Sequence, residues 1–593
     1  MTDPNVLAAY HTSDAAKRFL RKRHRSEGLF KLFGILAISL AVIALLALMW
    51  SIGSSAYRVV NEHYALIETE ITLAPDEQAR IDDPDPELKP NLITVVKTAM
   101  RGEFEGLTRR DRRELYEIVS GDAGLELGAE VKADPSLVGQ TRQTRMLLSD
   151  DAQLFIKGYF GDLEVEDGNG ILSVTGTTGE VEVFVGANAF TDALGSVKTD
   201  LIRRSERLRR QSARQQAGID AMDSRLARPD ATAEERVADE AAREGFVSQR
   251  DRLAAEAAEL ERRAAEPSGN EPLNDTLPSY FVYVNGGKIK LTSVSNERAT
   301  GTVLLPLQGD ADAQSGDWQL VRFERPEADR KITDKQALWL DKLRNDGKTE
   351  SVVNMRLFNA GDSREAELAG IWGGLVGSFW TMLVTFLLAF PIGVLAAIYL
   401  EEFAPKNTLT DFIEVNINNL AAIPSIIFGL FGLVVFIGFF GVPRSTPFVG
   451  GAVLALMSLP TIIIAARASI RAVPPSIRDA ALGLGASKVQ TVFHHVLPLA
   501  MPGIMTGTII AMAQALGETA PLIMIGMVGF FADVSTGPTS ATTVMPALIY
   551  IWSDYPQNLF EAKTAMAIVI LLLFLIAMNM FAIFLRKRFE RRW

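Results

Sequence analysis

Residues 33–52 read FGILAISLAVIALLALMWSI, a run of 20 residues without a charged side chain. A helix of about 20 apolar residues crosses the ~30 Å hydrocarbon core of a bilayer, so this run predicts a transmembrane helix. A signal peptide has a similar order of basic and apolar regions, but this run is longer and lacks a clear cleavage site of small residues. The bases before it favour a cytoplasmic segment over residues 1–32: Lys17, Arg18, Arg21, Lys22, Arg23, Arg25 and Lys31.

Five further apolar stretches follow residue 370 and predict five more transmembrane helices. They are Leu375–Leu400, Leu420–Val442, Phe448–Ala466, Val496–Phe531 and Ala565–Leu585. Any one of them alone could be a buried helix of a soluble protein, but six with consistent flanking charge indicate a polytopic α-helical membrane protein. Six crossings return the C-terminus to the cytoplasm, and the basic tail over 586–593 agrees with that orientation.

The same topology places residues 53–370 outside the cytoplasm. This segment contains 58 Asp and Glu against 41 Lys and Arg, a net charge of −17, whereas the rest of the chain carries +6. So acidic a polar region would repel phosphates and argues against nucleic-acid binding. Cysteine is absent from the chain, which excludes disulfides, thiolate metal sites and cysteine nucleophiles.

The segment over 53–370 mixes strand and helix patterns and predicts an inserted α+β domain. Alternating stretches such as residues 181–185, 281–285 and 288–294 are typical of half-buried strands. Residues 198–266 are rich in Ala, Arg and Glu, with leucines seven apart and a turn signal at 227–231. This pattern predicts an antiparallel helical hairpin, the alternatives being a solvated charged helix or a disordered insert.

The predicted cytoplasmic loop over 467–495 runs into the fifth apolar stretch with the sequence RDAALGLGASKVQTVFHHVLP, residues 478–498. It predicts a short amphipathic helix, a glycine-rich turn and a second helix, a surface on which a partner can dock, although an ordinary connecting loop is the alternative. The pattern resembles the loop of ABC-importer permeases that couples to a separate ATPase subunit. The matching residues are Asp479, Ala480, Ala481, Gly485, Leu497 and Pro498. Asp479 replaces the family's glutamate, and His495 stands where an apolar residue is usual.

Three further stretches narrow this resemblance. Residues 422–430, AIPSIIFGL, with Pro424 and Ser425, resemble the Pro-Ser motif of phosphate importer permeases, and residues 502–507 resemble the start of their fifth core helix. Residues 515–522, ALGETAPL, with Gly517 and Pro521, resemble the signature of the A-type permease family, PstA. The resemblance covers about residues 370–593 and implies a five-helix, MetI-like permease core over 371–585 in a bacterial inner membrane. It also implies partners: a PstC-like permease, two PstB-like ATPases and a PstS-like phosphate-binding protein.

One carboxylate, Glu518, interrupts the apolar run over 496–531. An ionisable group inside a membrane is costly and is by default functional, so we expect Glu518 and the adjacent Thr519 to face the translocation pathway. Glu518 has the same sign as phosphate, so it would act by pairing with an arginine or by accepting a hydrogen bond from a protonated phosphate oxygen. Arg467 and Arg471 are candidate partners, with simple anchoring at the inner surface as the alternative.

The sequence contains no GxxxxGK[ST] phosphate loop, no HExxH and no GxSxG, so it predicts a chain that is not an enzyme by itself and holds no cofactor. ATP would be used by the partner ATPase. The predicted function is the membrane half of an ATP-driven phosphate importer. Two alternatives remain open: a sulfate or molybdate permease, and a membrane sensor whose large outer domain recognises a ligand.

Overall fold

The structure is a computed structural model that describes residues 14–85, 88–104, 106–186, 190–228, 232–266, 270–309 and 312–589. The basic residues from Lys17 to Arg25 lie on described helical backbone, but their side chains fall outside the description. The predicted tail residues Arg591 and Arg592 lie outside the described residues. The chain divides into two compact units, Met1–Asn61 with Val353–Trp593, and Glu62–Val352.

Helices occur in both units. In chain order they are α1 (Asp14–Tyr57), α2 (Pro75–Asp82), α3 (Ile93–Glu103), α4 (Arg109–Tyr116), α5 (Ala123–Ala133), α6 (Asp150–Ile156), α7 (Thr191–Leu226), α8 (Ala233–Ala265), α9 (Asp334–Asn345), α10 (Met355–Asn359), α11 (Trp372–Ile398), α12 (Thr408–Leu420), α13 (Ser425–Phe431), α14 (Pro447–Arg471), α15 (Pro475–Gly483), α16 (Lys488–Thr491), α17 (Leu497–Gly517), α18 (Ala520–Met524), α19 (Met545–Asp554) and α20 (Asn558–Phe589). We call the unit formed by Met1–Asn61 and Val353–Trp593 the membrane unit. In its described part, three π-helical segments extend helices, at Tyr399–Phe403, Gly432–Phe439 and Val492–Val496.

The strands lie in the inserted segment. They are β1 (Asn61–Glu70), β2 (Thr141–Leu147), β3 (Leu163–Asp167), β4 (Leu172–Val174), β5 (Glu180–Val185), β6 (Glu271–Pro272), β7 (Ser279–Val284), β8 (Gly287–Val294), β9 (Arg298–Leu305), β10 (Asp312–Ala313), β11 (Trp318–Phe323) and β12 (Thr349–Val353). One sheet has the order β12-β1-β2, and the other has the order β10-β4-β5-β9-β8-β7-β11-β3 with β6 paired to β8.

The inserted domain is α+β and contains the predicted hairpin. Helices α7 and α8 pack along each other, and Leu201, Leu208 and Leu260 are buried with the inward side chains of β5, β7 and β8. Thr232 caps α8 by accepting a hydrogen bond from the Glu235 amide, which fixes where the second helix begins. Because the alternation of strands and the heptad spacing of leucines both find a buried face, the α+β prediction is confirmed.

The described residues of the membrane unit include five helices long and apolar enough to cross a bilayer. These are Glu27–Tyr57, Trp372–Phe403, Pro447–Arg471, Lys488–Gly517 and Asn558–Arg588. Thr408–Leu420 and Ser425–Phe439 form a pair bent by 105°, which gives up to six crossings if the pair counts as one. The predicted span over 420–442 therefore falls mostly on this bent pair and is not a straight helix. Pro424 lies at the bend, where its ring cannot continue a helix from the preceding turn.

The predicted span over 496–531 is present, but its helix ends well before the apolar stretch does. Helix α17 ends at Gly517, and Glu518 has an extended backbone with ψ 119°. The short helix α18 then begins at Ala520 with Pro521 as its second residue, and Gly526 follows with φ +92°. Glycine at both ends and proline between them break a stretch that hydropathy alone shows as continuous.

Small residues bring the membrane helices into close contact, as is usual where helices pack in a bilayer. A Cβ built on Gly377 of α11 would lie 2.0 Å from the Thr543 carbonyl oxygen. One on Gly507 of α17 would lie 2.1 Å from the Ala465 Cβ of α14. Helix α11 packs on α14, α14 on α17, and α17 on α20, while α1 packs on α20. This bundle holds the loop between α14 and α17 at one end of both helices.

Candidate functional site

The loop between α14 and α17 is built from two short helices joined by a glycine turn. Helix α15 begins after Pro474 and ends at Gly483. Ser487 caps α16 by accepting a hydrogen bond from the Gln490 amide, and the π-helical segment continues α16 into α17. Ala481 is buried beneath the loop, whereas Asp479 and Ala480 are more accessible on it. Leu497 and Pro498 lie half-buried where α17 begins.

The turn at Gly485 has φ +88°, a conformation that side chains with a Cβ rarely adopt. Its amide donates to the Leu482 carbonyl over 2.9 Å, and the Ala486 amide donates to the Ala481 carbonyl over 3.1 Å. Among the described residues other than its two chain neighbours, no atom lies within 4 Å of a Cβ built on Gly485. The glycine is therefore required here by the backbone conformation, and the space above it is open.

An apolar surface surrounds this turn, and we call it the loop surface. Leu484 is 90% exposed, and three other apolar residues of the loop are exposed to a smaller extent: Leu482, Val489 and Phe493. Exposed apolar side chains that cluster on one segment typically mark a contact with another protein or with a membrane. The loop surface therefore coincides with the segment in which the sequence motif predicts a docked partner.

The C-terminal end of α14 carries a cluster of ion pairs. Arg467 Nε lies 2.8 Å from Glu401 Oε1, and Arg467 also donates to Glu414. Arg471 Nη2 lies 2.8 Å from the same Glu401 oxygen. The side chains of Glu401 and Arg467 are largely buried, so this cluster connects α12, α14 and the π-helical end of α11.

The structure thus brings Arg467 and Arg471 to Glu401 and not to Glu518. Sequence reasoning missed the acidic members of the cluster. The sequence feature that could have found them is the pair Glu401–Glu402, which directly follows one apolar stretch. Charged residues at the end of one membrane helix can pair with the arginines at the end of a neighbouring helix. Glu402 is engaged as well, since Arg478 Nη2 lies 2.8 Å from its Oε1.

Glu518 lies at the C-terminal end of α17, and Thr519 follows it; both are half-buried. Among the described residues Glu518 has no ion-pair or side-chain hydrogen-bond partner. Nearby, the hydroxyls of Thr506 and Thr508 donate to the carbonyls of Pro502 and Ile504 at 2.8 and 2.9 Å, so both bond their own helix. Glu518 is consequently a carboxylate that the described part of this chain leaves uncompensated.

The two sequence motifs that flank the breaks meet in space. A Cβ built on Gly429 of α13 would lie 2.7 Å from the Pro521 Cα of α18. Helix α13 begins at Ser425, directly after Pro424, and α18 begins at Ala520, three residues after Gly517. The motif residues Pro424, Ser425, Gly517 and Pro521 therefore all lie at the helix breaks, and the helices that follow those breaks pack together.

The side chains of this arrangement offer apolar contacts and ion pairs. Within the described ranges, no group of three His, Cys, Asp or Glu side chains could hold a metal ion. The features that the structure does provide are an exposed apolar loop, a buried ion-pair cluster and a carboxylate at a helix break.

Two family profiles match the chain. The first is described as a binding-protein-dependent transport system inner membrane component and matches residues 389–593. The second is described as a domain of unknown function (DUF3333) and matches residues 17–164. The second match covers most of α1 and the first part of the inserted domain.

Several named proteins are similar to the membrane unit. The probable ABC transporter permease protein YqgI of Bacillus subtilis (strain 168) is 32% identical over 219 residues, which are 37% of this chain and 70% of that protein. The phosphate transport system permease protein PstA 1 of Mycobacterium tuberculosis (strain H37Rv) is 30% identical over 226 residues, 38% of this chain and 71% of that protein. A structure of the MetNI methionine ABC transporter in an inward-facing conformation aligns with 37% of this chain and 95% of its own, at 17% identity and a TM-score of 0.30.

Proposed function

The chain belongs to the family of ABC transporter permeases that includes the PstA phosphate permeases, and we propose that it forms one half of the translocation pathway of an ATP-driven phosphate importer. The observation that carries the proposal is the 30% identity to a phosphate transport system permease. The transport-system profile supports it over residues 389–593, a range that contains both helix-break motifs. As a permease subunit, the chain works with an ATPase and a substrate-binding protein. We assign those roles to PstB-like and PstS-like proteins, and the other half of the pathway to a PstC-like permease.

The loop surface is the contact we assign to the ATPase. Its exposed Leu484 and Phe493 would be buried in a cleft of the partner, and removal of this apolar area from water would favour the contact. ATP-driven closure of the ATPase pair would then move α15 and α16 relative to the bundle. In this arrangement ATP binds to the partner, and this chain contributes no ATP site.

The location follows from the flanking charges. Basic residues over 17–31 and 586–592 support a cytoplasmic location of both termini, at a bacterial inner membrane. The loop surface is then cytoplasmic, where an ATPase can reach it, and the domain inserted between α1 and α11 is periplasmic. A reporter active only in the cytoplasm, fused at residue 150, would be inactive, whereas the same reporter after residue 593 would be active. The opposite pattern would overturn the assignment of the loop.

Substrate identity is tested by transport. The full chain, expressed with its partner transporter subunits in cells that lack their own phosphate importer, should restore uptake of labelled phosphate. Excess sulfate and molybdate should leave that uptake unchanged. Uptake of sulfate or molybdate instead would make the chain a permease for those anions and refute the phosphate assignment.

The coupling contact is tested by a matched pair of variants. Leu484→Gln replaces an exposed apolar side chain on the loop surface, and Met355→Gln replaces an exposed apolar side chain on α10. We expect both variants to reach the membrane at normal abundance. Only the Leu484 variant should lose the ATPase during purification, and equal recovery of the ATPase with both variants would show that the loop surface is not the contact.

A further inference from the structure

The inserted domain contains a cavity of about 810 Å³ that the permease function does not use. Its walls are one face of α7, the turn before β7, the end of β11 with the segment that follows it, and the turn at 159–161. All of these lie in the unit Glu62–Val352. The cavity is therefore a feature of the inserted domain alone.

Arginine dominates the lining. Six guanidinium groups line the cavity, from Arg203, Arg204, Arg207, Arg210, Arg322 and Arg325. Arg203, Arg207 and Arg210 are four and three residues apart, so they share one face of α7. At a rise of about 1.5 Å per residue they extend along about 10 Å of that face. In a segment with a net charge of −17, such a concentration of positive charge is local and specific.

Two of the six arginines are held in place by fixed partners. Arg322 donates to Asp200 at 2.9 Å and to Glu164 at 3.1 Å. Arg204 donates to the Thr276 carbonyl at 2.9 Å and to Glu256 at 3.2 Å. A guanidinium has five N–H donors, so these contacts orient both side chains and leave donors for a ligand.

Arg207 and Arg325 have no ion-pair partner among the described residues. Arg325 lies over the Phe160 ring, 5.8 Å from its centroid, which positions its charge at the cavity wall. Arg207 lies on the exposed side of α7. Within the described part of the domain, these two are the uncompensated cations of the site.

Four acidic residues also line the cavity: Asp200, Glu206, Glu324 and Asp329. Asp200 is already engaged by Arg322, and Glu206 lies 3.5 Å from Arg210. The Arg203–Asp200 pair is equally long at 3.5 Å. Long pairs with an exposed arginine contribute little and yield readily to a better acceptor. The lining acids reduce the positive field without cancelling it.

We propose that this cavity binds a small polyvalent oxyanion, a molecule with two or more phosphoryl or carboxylate groups a few ångströms apart. The planar guanidinium fork binds both kinds of group through paired, charge-assisted hydrogen bonds. Arg207 and Arg325 contact the charged groups, while Arg322 and Arg204 supply donors from the fixed wall. A single phosphate would fill only a small part of the volume, so multiple charges along the arginine face are needed to occupy it.

The test uses the full chain purified in detergent and tripolyphosphate as the probe, followed by isothermal titration calorimetry at low ionic strength. Arg207→Gln and Arg325→Gln each remove one uncompensated charge, and we expect each to weaken binding by about fivefold or more. Glu324→Gln removes from the cavity a negative charge that repels an anionic ligand, so it should strengthen binding. Arg252→Gln is the matched control, because Arg252 is an exposed arginine of the hairpin that does not line the cavity.

The outcomes separate this site from the permease pathway. Tripolyphosphate binding that the double variant Arg207→Gln/Arg325→Gln abolishes, and that Arg252→Gln leaves intact, supports the proposal. Binding that survives in the double variant belongs elsewhere on the chain and overturns it, as does an absence of binding by the parent chain. Citrate as a second probe distinguishes carboxylate from phosphoryl recognition. Inorganic phosphate that binds as tightly as both probes would overturn the polyvalent part of the proposal.

Discussion

Gly485 offers the sharpest test of how the loop between α14 and α17 works, because the structure separates its backbone role from its contact role. The residue has φ +88°, and placing a residue with a Cβ in a left-handed conformation costs about 1–2 kcal/mol. Apart from the two chain neighbours, no described atom lies within 4 Å of a Cβ built there, so overlap with the rest of the chain adds nothing. Gly485→Ala should therefore lower the population of the native turn relative to its alternatives by a factor of about 5–30.

Two further variants isolate the contact. Asparagine and aspartate tolerate left-handed backbone better than alanine does, so Gly485→Asn and Gly485→Asp disturb the turn less. Both place a side chain in the open space beside Leu484, which is 90% exposed. If the ATPase covers this turn, both variants should reach the membrane and still lose coupling, and the aspartate should be worse because it brings a charge into an apolar contact.

The assay is phosphate-stimulated ATP hydrolysis by the assembled transporter, at matched amounts of this chain in the membrane. Reduced hydrolysis in the alanine variant with recovery in the asparagine variant would mean that only the backbone conformation matters. Normal hydrolysis in the Gly485→Asp variant would refute the assignment of this turn as the ATPase contact.

Three other positions allow direct tests. Glu518→Gln should leave the abundance of the chain in the membrane unchanged, because the carboxylate has no side-chain partner among the described residues. It should nevertheless reduce phosphate uptake, and near-normal uptake would leave Glu518 with no role in the pathway. Gly377→Ala should lower abundance in the membrane, because its Cβ would lie 2.0 Å from the Thr543 carbonyl oxygen and such overpacking costs roughly 1–3 kcal/mol. Gly34→Ala in α1 is the control and should be neutral, because no described residue other than its chain neighbours lies within 4 Å of the added Cβ. Equal abundance of the two variants would contradict this packing. Burial and the neighbouring Asp150 raise the pKa of Asp151 to about 6. The contribution of Asp151 to the free energy of unfolding is therefore fully present below the pKa of about 4 that its carboxyl has in the unfolded chain, and it is lost as the pH rises through 6. Asp151→Asn should then raise the unfolding temperature at pH 8 and not at pH 4, while the exposed Asp317→Asn should change it at neither pH; a gain that is independent of pH would rule out titration as the cause.

The helices of the membrane unit could be predicted from hydropathy where an apolar run forms one unbroken helix. The apolar runs at 33–52, 375–400, 448–466 and 565–585 each lie within a single helix of the structure. The runs at 420–442 and 496–531 are equally apolar, but each contains a break that hydropathy does not register. Pro424 in one, and Gly517 with Pro521 in the other, decide the path of the chain through backbone geometry. The membership of the family, which rested on these same motifs, is confirmed by the named relatives.

The turn in the loop between α14 and α17 could be predicted from the sequence, but the ion pairs beside it could not. The motif located Ala481, Gly485 and Pro498, because a local pattern is sufficient to identify a turn between two helices. The partner of Arg467 depends on how α11, α12 and α14 pack, and sequence spacing carries no information about the distance between Arg467 and Glu401. The same limit applies to the arginine cavity: its α7 members are close in sequence, but Arg322 and Arg325 reach it only through the sheet.

The loop and Glu518 are the two ends of one element. Residues Lys488–Gly517 form a continuous run of 30 helical residues, from just after the Gly485 turn to just before Glu518. At about 1.5 Å per residue this run is about 45 Å long, and a packed helix moves largely as a rigid body. A displacement imposed at the loop surface therefore reaches the helix break at Glu518 and Pro521, where α18 packs on α13. It follows that the two series of variants should fail differently: Gly485 variants should lose ATP hydrolysis and uptake together, whereas Glu518→Gln should lose uptake while phosphate-stimulated hydrolysis continues. Loss of both activities in the Glu518 variant would mean that this end of the helix also controls the ATPase contact.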